Sequence, residues 1–166
     1  MSGPMISHRL AIGLLVVVSV PVDTVAQDHI IGAVSVIDGD TIEIHGQHIR
    51  LFGIDAPESS QVCIRVSGER WRCGQQASFA LADRIGRASV SCRSRDIDRY
   101  GRVIAVCFKG SEDLSRWMVA NGWAVAYRHY SEDYVPEENA ARRSRTNIWS
   151  GDFDLPWDWR AQHRRR

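Results

Sequence analysis

Hydrophobic and polar positions change their period several times along the chain. From Val34 and Val36 onward, apolar residues alternate with polar ones through Ile42 and Ile44. The pattern turns at His45-Gly46 and resumes at Ile49 and Leu51, which predicts a hairpin. Asp55-Ala56-Pro57-Glu58 then leaves the sheet as a loop, and residues 59–74 follow no period. Ala77, Leu81 and Ile85 recur at spacing four, predicting a helix over 75–87. Residues 88–95 and 102–108 read as strands around the turn Asp98-Arg99-Tyr100-Gly101. A short helix is expected over 113–121, closed by Gly122, then a short strand over 123–126. A third helix is expected over 136–145, opened by Pro-Glu-Glu. Pro156-Trp157-Asp158-Trp159-Arg160 reads as an aromatic tail that staples the C-terminus to the core. Strands that come as hairpins, with a single helix between the two groups, favour a small α+β barrel over a doubly wound sheet.

The N-terminal segment has a different character. Arg9 precedes an apolar run over residues 10–20, Pro21 breaks it, and Thr24-Val25-Ala26 offers a small residue before Gln27. A membrane span needs roughly 20 apolar residues, so residues 1–26 read as a secretory signal peptide, with an uncleaved anchor as the alternative. Residues 27–166 are then expected to form one domain, periplasmic or secreted, with no stable membrane association after cleavage.

Export gives the four cysteines a disulfide reading, with three possible connectivities. A symmetric turn at Asp98–Gly101 sets Cys92 directly opposite Cys107, close enough to bridge. Cys63 and Cys73 remain to close a short loop. A zinc site is the competing reading, but no CxxC or HxxxH spacing supports it.

Composition removes one class of function. The chain has 166 residues and a net charge of +1, so bulk charge alone would not hold nucleic acid. Of its 21 basic residues only Lys109 is lysine, which favours bidentate guanidinium contacts.

Four acids draw attention at one end of the first hairpin. Asp38 and Asp40 flank Gly39 on its first strand, although Asp-Gly-Asp is equally the composition of a plain turn. Asp55 and Glu58 lie just beyond the returning strand. Converging carboxylates repel unless a cation neutralises them, and a hard divalent ion does so through oxygen ligands. Arg50 on the returning strand and Arg102 after the Asp-Arg-Tyr-Gly turn add guanidinium groups. A metal, two arginines and a free carboxylate suit phosphodiester hydrolysis. The six histidines lack a paired acid at recognisable spacing and read as surface or rim residues.

Val36-Ile37-Asp38-Gly39-Asp40-Thr41, Ile49-Arg50-Leu51-Phe52-Gly53-Ile54-Asp55-Ala56-Pro57-Glu58, Asp98-Arg99-Tyr100-Gly101-Arg102 and Asn147-Ile148-Trp149-Ser150 together resemble the staphylococcal nuclease (thermonuclease) family. The likeness covers about residues 31–151. It implies a five-stranded OB-type β-barrel with three helices. It also implies that Asp40, Asp55 and the Ala56 carbonyl hold Ca2+, with Asp38 behind them, and that Glu58 is the general base. Arg50 and Arg102 are implied to bind phosphate, and Arg99, Tyr100 and Tyr127 to touch substrate. The expected activity is calcium-dependent cleavage of DNA and RNA, leaving 3′-phosphates, by a monomer. His129 stands where the family pattern has a second tyrosine, and the segment 59–73 is longer than in the type member. The alternative is an OB-fold module that binds nucleic acid or protein without cutting; a third idea, an accessory protein acting on envelope polymers, has no motif behind it.

Overall fold

The computed structural model describes residues 29–163. The signal segment expected over 1–26 and the arginines at 164–166 lie outside the described residues.

Four strands open the fold: β1 (His29–Gly32), β2 (Ser35–Asp38), β3 (Thr41–Ile44) and β4 (Gln47–Leu51). Next come β5 (Ile54–Asp55), β6 (Cys63–Arg65), β7 (Arg70–Trp71) and helix α1 (Cys73–Ile85). The long hairpin β8 (Val90–Ile97) and β9 (Val103–Lys109) leads into β10 (Glu112–Asp113) and α2 (Leu114–Ala120). β11 (Val125–Ala126), α3 (Val135–Arg143), a 3₁₀ turn (Asn147–Ser150), β12 (Gly151–Asp152) and α4 (Pro156–His163) complete the chain.

The main sheet runs β1-β8-β9-β4-β3-β2, with β10 also paired to β9. Only the β4–β9 pair within it is parallel. β1 and β2 lie at opposite ends of that order, yet only residues 33 and 34 separate them. Three Cα steps reach at most about 11 Å, so the sheet must curl to bring its two ends near each other. The result is an α+β half-barrel of seven strands with four α-helices among the described residues, not five strands and three helices. The extra strands are β1, whose His-Ile-Ile-Gly does not alternate, and β10, only two residues long. The extra helix is α4, where the aromatic tail was expected.

Ile42, Ile44, Ile49 and Leu51 from the first hairpin fill the barrel, and Leu81, Ile85, Leu114 and Met118 from α1 and α2 cap it. All eight are 0–2% exposed. A second cluster holds Cys63, Cys73, Val125 and Ile148, with Trp149 and Trp157 packed against it. Trp117 and Trp123 pack half-buried on the main core.

Both disulfides form as read from the sequence. Cys92 and Cys107 face each other in the β8–β9 register, and Cys63 joins Cys73. The Cys92–Cys107 bridge spans 15 residues inside the core. Loss of a loop constraint of that size is expected to cost about 3 kcal/mol in the chain-entropy account. A Cys92→Ala/Cys107→Ala protein should therefore unfold at clearly lower urea; an unchanged midpoint would remove the bridge as a stabiliser.

Candidate active site

The acids converge because of the register. Asp38 ends β2 and Gly39-Asp40 make the tight turn into β3, so the turn reading of Asp-Gly-Asp holds and Asp40 leaves the first strand. Thr41 pairs with Arg50 across β3 and β4, and the Leu51 N–H donates to the Asp40 carbonyl at 2.8 Å. The turn therefore sits beside the chain as it leaves β4 toward Asp55 and Glu58. Two glycines permit this approach. A Cβ on Gly39 would lie 2.7 Å from the Ala56 Cβ, and one on Gly74 would lie 1.7 Å from the Glu58 carbonyl oxygen.

Every oxygen of Asp40 is engaged. Its Oδ1 accepts from the Thr41 hydroxyl and from Arg50, both at 3.0 Å, and its Oδ2 accepts from the Ala56 N–H at 2.9 Å. Asp38 accepts from the Asp40 N–H at 3.0 Å, so it braces the turn from behind. The Arg50 guanidinium bridges onward to Asp55 Oδ1 at 2.7 Å. Asp55 is fully buried.

A third guanidinium joins them from the far end of the chain. Arg160 of α4 donates to Asp55 Oδ1 at 3.0 Å, to Asp55 Oδ2 at 2.7 Å and to Glu58 Oε1 at 2.7 Å. Gln61, buried and absent from the sequence reading, ties the same regions. Its side-chain N–H donates to the Asp154 carbonyl at 2.7 Å, and its side-chain oxygen accepts from the Glu58 N–H at 3.2 Å.

Charge remains unbalanced. Asp38, Asp40, Asp55 and Glu58 face Arg50 and Arg160, an excess of two negative charges when all are ionised. Burial lifts Asp40 to about 6 even against the pull of Arg50, with Asp38 pushing the same way. Burial likewise raises Asp55 despite Arg160 and Arg50. Against the opposing cost of burial, Asp55 and Glu58 hold the Arg160 proton more firmly than usual.

These residues fit a hard divalent cation by chemistry. All the donors are oxygens, the uncompensated charge matches, and the Asp55–Glu58 pair already holds a cationic group. Among the described residues, however, no three acids, histidines or cysteines stand together at ligating distance. Guanidinium groups occupy the space between the carboxylates instead.

Over this floor opens a cleft of about 870 Å³. Asp38, Asp40, Arg50, Ala56, Glu58, Arg99, Tyr100, Arg102 and Tyr127 all line it, and Asp55 lies buried beneath. On one wall Asp98 organises its own turn. Its Oδ1 accepts from the N–H groups of Tyr100 and Arg102, and its Oδ2 holds the Arg102 guanidinium at 2.7 Å. Against the cost of burial, these bonds keep Asp98 below the usual carboxylate range. Arg99 lies 4.9 Å over the exposed Tyr100 ring. The opposite wall is aromatic: Tyr127 packs 5.2 Å from Tyr130 and 5.3 Å from Trp157.

Trp157 and Arg160 were the residues missed as site residues. Both line the cleft, so the tail docks as a staple and also enters the site. The signal was legible: Pro156 at a helix start, with Trp157 and Arg160 three apart on one helical face.

Residues 48–151 match the family model described as staphylococcal nuclease homologue. The chain is 31% identical to the micrococcal nuclease of Shigella flexneri over 171 aligned positions, spanning 92% of this chain and 91% of that protein. It is 39% identical to the succinoglycan biosynthesis protein ExoI of Rhizobium meliloti over 131 positions, 76% of this chain and 68% of that protein. An uncharacterized endonuclease of Escherichia coli is 33% identical over 135 positions, 76% of this chain and 82% of that protein.

Proposed function

The chain belongs to the staphylococcal nuclease homologue family, and on that premise we propose that it is an exported, calcium-dependent endonuclease that cuts DNA and RNA with little sequence preference. Nuclease activity is what the family description and the names of the Shigella and Escherichia coli relatives share, and it means phosphodiester hydrolysis. The observation that supports the finer reading is the complete set of Asp40, Asp55, Glu58, Arg50 and Arg102 gathered at one cleft. A non-catalytic binding module has no use for all five.

The Asp40 and Asp55 carboxylates and the Ala56 carbonyl would hold the cation, with Asp38 bracing the turn. When bound, a divalent ion supplies positive charge against the phosphoryl oxygens. The chain's own groups do the rest. Arg50 and Arg102 bind the non-bridging oxygens, and their hold tightens as charge grows on them. Glu58 takes a proton from the water that attacks phosphorus. The bond from phosphorus to the 5′-oxygen breaks, that oxygen takes up a proton, and the phosphate stays on the 3′ side. Tyr100, Arg99 and Tyr127 flank the nucleotide; stacking on such rings tolerates any base. Contacts to phosphate rather than base edges give the low sequence preference.

The two disulfides suit an oxidising compartment, consistent with a periplasmic or secreted protein. No helix among the described residues is long and apolar enough to cross a membrane. In this reading residues 1–26 are removed on export and residues 27–166 act as a monomeric domain.

The test incubates purified mature protein with plasmid, single-stranded DNA and RNA, with calcium or with excess chelator. Cleavage of all three in calcium, ends bearing 3′-phosphate, and loss of cutting in chelator are expected. Undiminished cutting in chelator rejects the metal role, and binding without cleavage under every condition leaves the module reading.

A further inference from the structure

α4 lies beyond the segment matched by the family model, which stops at residue 151. It nevertheless delivers a cation to the two carboxylates at the centre of the site. We propose that Arg160 is the resident counter-cation of Asp55 and Glu58, positioning both carboxylates in the metal-free protein and setting the affinity for the divalent cation by competing with it. This rests on the metal assignment of the proposed function.

The geometry argues for a seat rather than a chance contact. Three hydrogen bonds of 2.7–3.0 Å join one guanidinium to two acids. With Arg50 also at Asp55 Oδ1, that oxygen has both lone pairs in use. Asp55 Oδ2 faces the Arg160 guanidinium in the same fork. A cation can therefore reach Asp55 only as Arg160 withdraws.

Two anchors keep the competitor in place. Trp157, one helical turn earlier, packs against Tyr127 at 5.3 Å. Gln61 holds the Asp154 carbonyl just ahead of the helix at 2.7 Å. Arg160 is thus tethered beside its acids at a high effective concentration. The apparent cation affinity is then the intrinsic affinity multiplied by the fraction of molecules in which Arg160 is unseated. Its side chain is 26% exposed, so an exit toward the cleft exists.

The decisive measurement is calorimetric titration of calcium chloride into metal-free wild type, Arg160→Gln, Arg160→Lys and Asp55→Asn. Arg160→Gln should bind calcium about ten-fold more tightly or better. Arg160→Lys should fall between it and wild type, because one ammonium cannot reproduce the forked bonds. A purely structural role for Arg160 would lower thermal stability without tightening the cation. Equal or weaker affinity in Arg160→Gln overturns the proposal while leaving the nuclease reading intact. Should that variant not fold, wild-type affinity in Arg160→Lys overturns it equally. Unaltered calcium binding in Asp55→Asn puts the ion elsewhere, and the metal assignment falls with the proposal.

Discussion

Exchanging Glu58 for Gln is expected to lower turnover on single-stranded DNA by about 10²- to 10⁴-fold, the range for losing a general base. The substitution keeps the shape but removes the capacity to take a proton and the charge that faces Arg160. Its neighbours should not move. The Glu58 backbone is fixed by Gln61, which bonds to its N–H, and Arg160 keeps both oxygens of Asp55. The Glu58 side chain is 33% exposed, so its loss removes no core contact. The fall should therefore appear in kcat, with KM and the melting temperature little changed. Turnover within about two-fold of wild type would mean that another group activates the water.

Much of this site was legible because its parts lie on regular elements. The first hairpin turns at His45-Gly46 as its alternation requires, and that register alone brings Asp40 beside Arg50. The cysteine hairpin is more instructive. The turn closes with the Asp98 N–H donating to the Arg102 carbonyl at 2.9 Å, one residue wider than a symmetric turn at Asp98–Gly101. A shift in register between Ser94 and Asp96 restores the difference, and Cys92 still meets Cys107. The correct disulfide thus came through two offsets that cancel, and a bulge leaves no mark in a single sequence.

What stayed hidden depended on distance along the chain. Arg160 lies 105 positions from Asp55 and 102 from Glu58, and no local period links them. The same holds for Gln61 and the Asp154 carbonyl, 93 positions apart. Pattern reading could have found α4 itself: Pro156 opens it, and Trp157 and Arg160 share a face. What it could not find is where that face docks, which is settled by the aromatic wall at Tyr127 and by an excess of buried negative charge.

Replacing Arg102 with Ala is expected to lower kcat/KM by about 10²- to 10³-fold, the usual cost of removing one preorganised donor to a charged transition state. Arg102 is the cleaner of the two phosphate-binding arginines of the proposed mechanism to remove, because Arg50 also neutralises the buried Asp40 and Asp55. Deleting Arg50 would leave the buried Asp40 without its guanidinium partner and mix folding with catalysis. Arg102 instead pairs with Asp98 near the surface, its side chain 25% exposed, where an ion pair contributes little to stability. The melting temperature should hardly move. Arg102→Lys separates charge from shape: it keeps the positive charge but loses the planar fork, and most of the defect should persist. Asp98→Asn gives the intermediate case, because the Arg102 guanidinium stays present but is no longer held by a charged partner at 2.7 Å. If Arg102→Ala cleaves single-stranded DNA at close to the wild-type rate, this guanidinium does not face the phosphate, and Arg99 or Arg160 becomes the group to test.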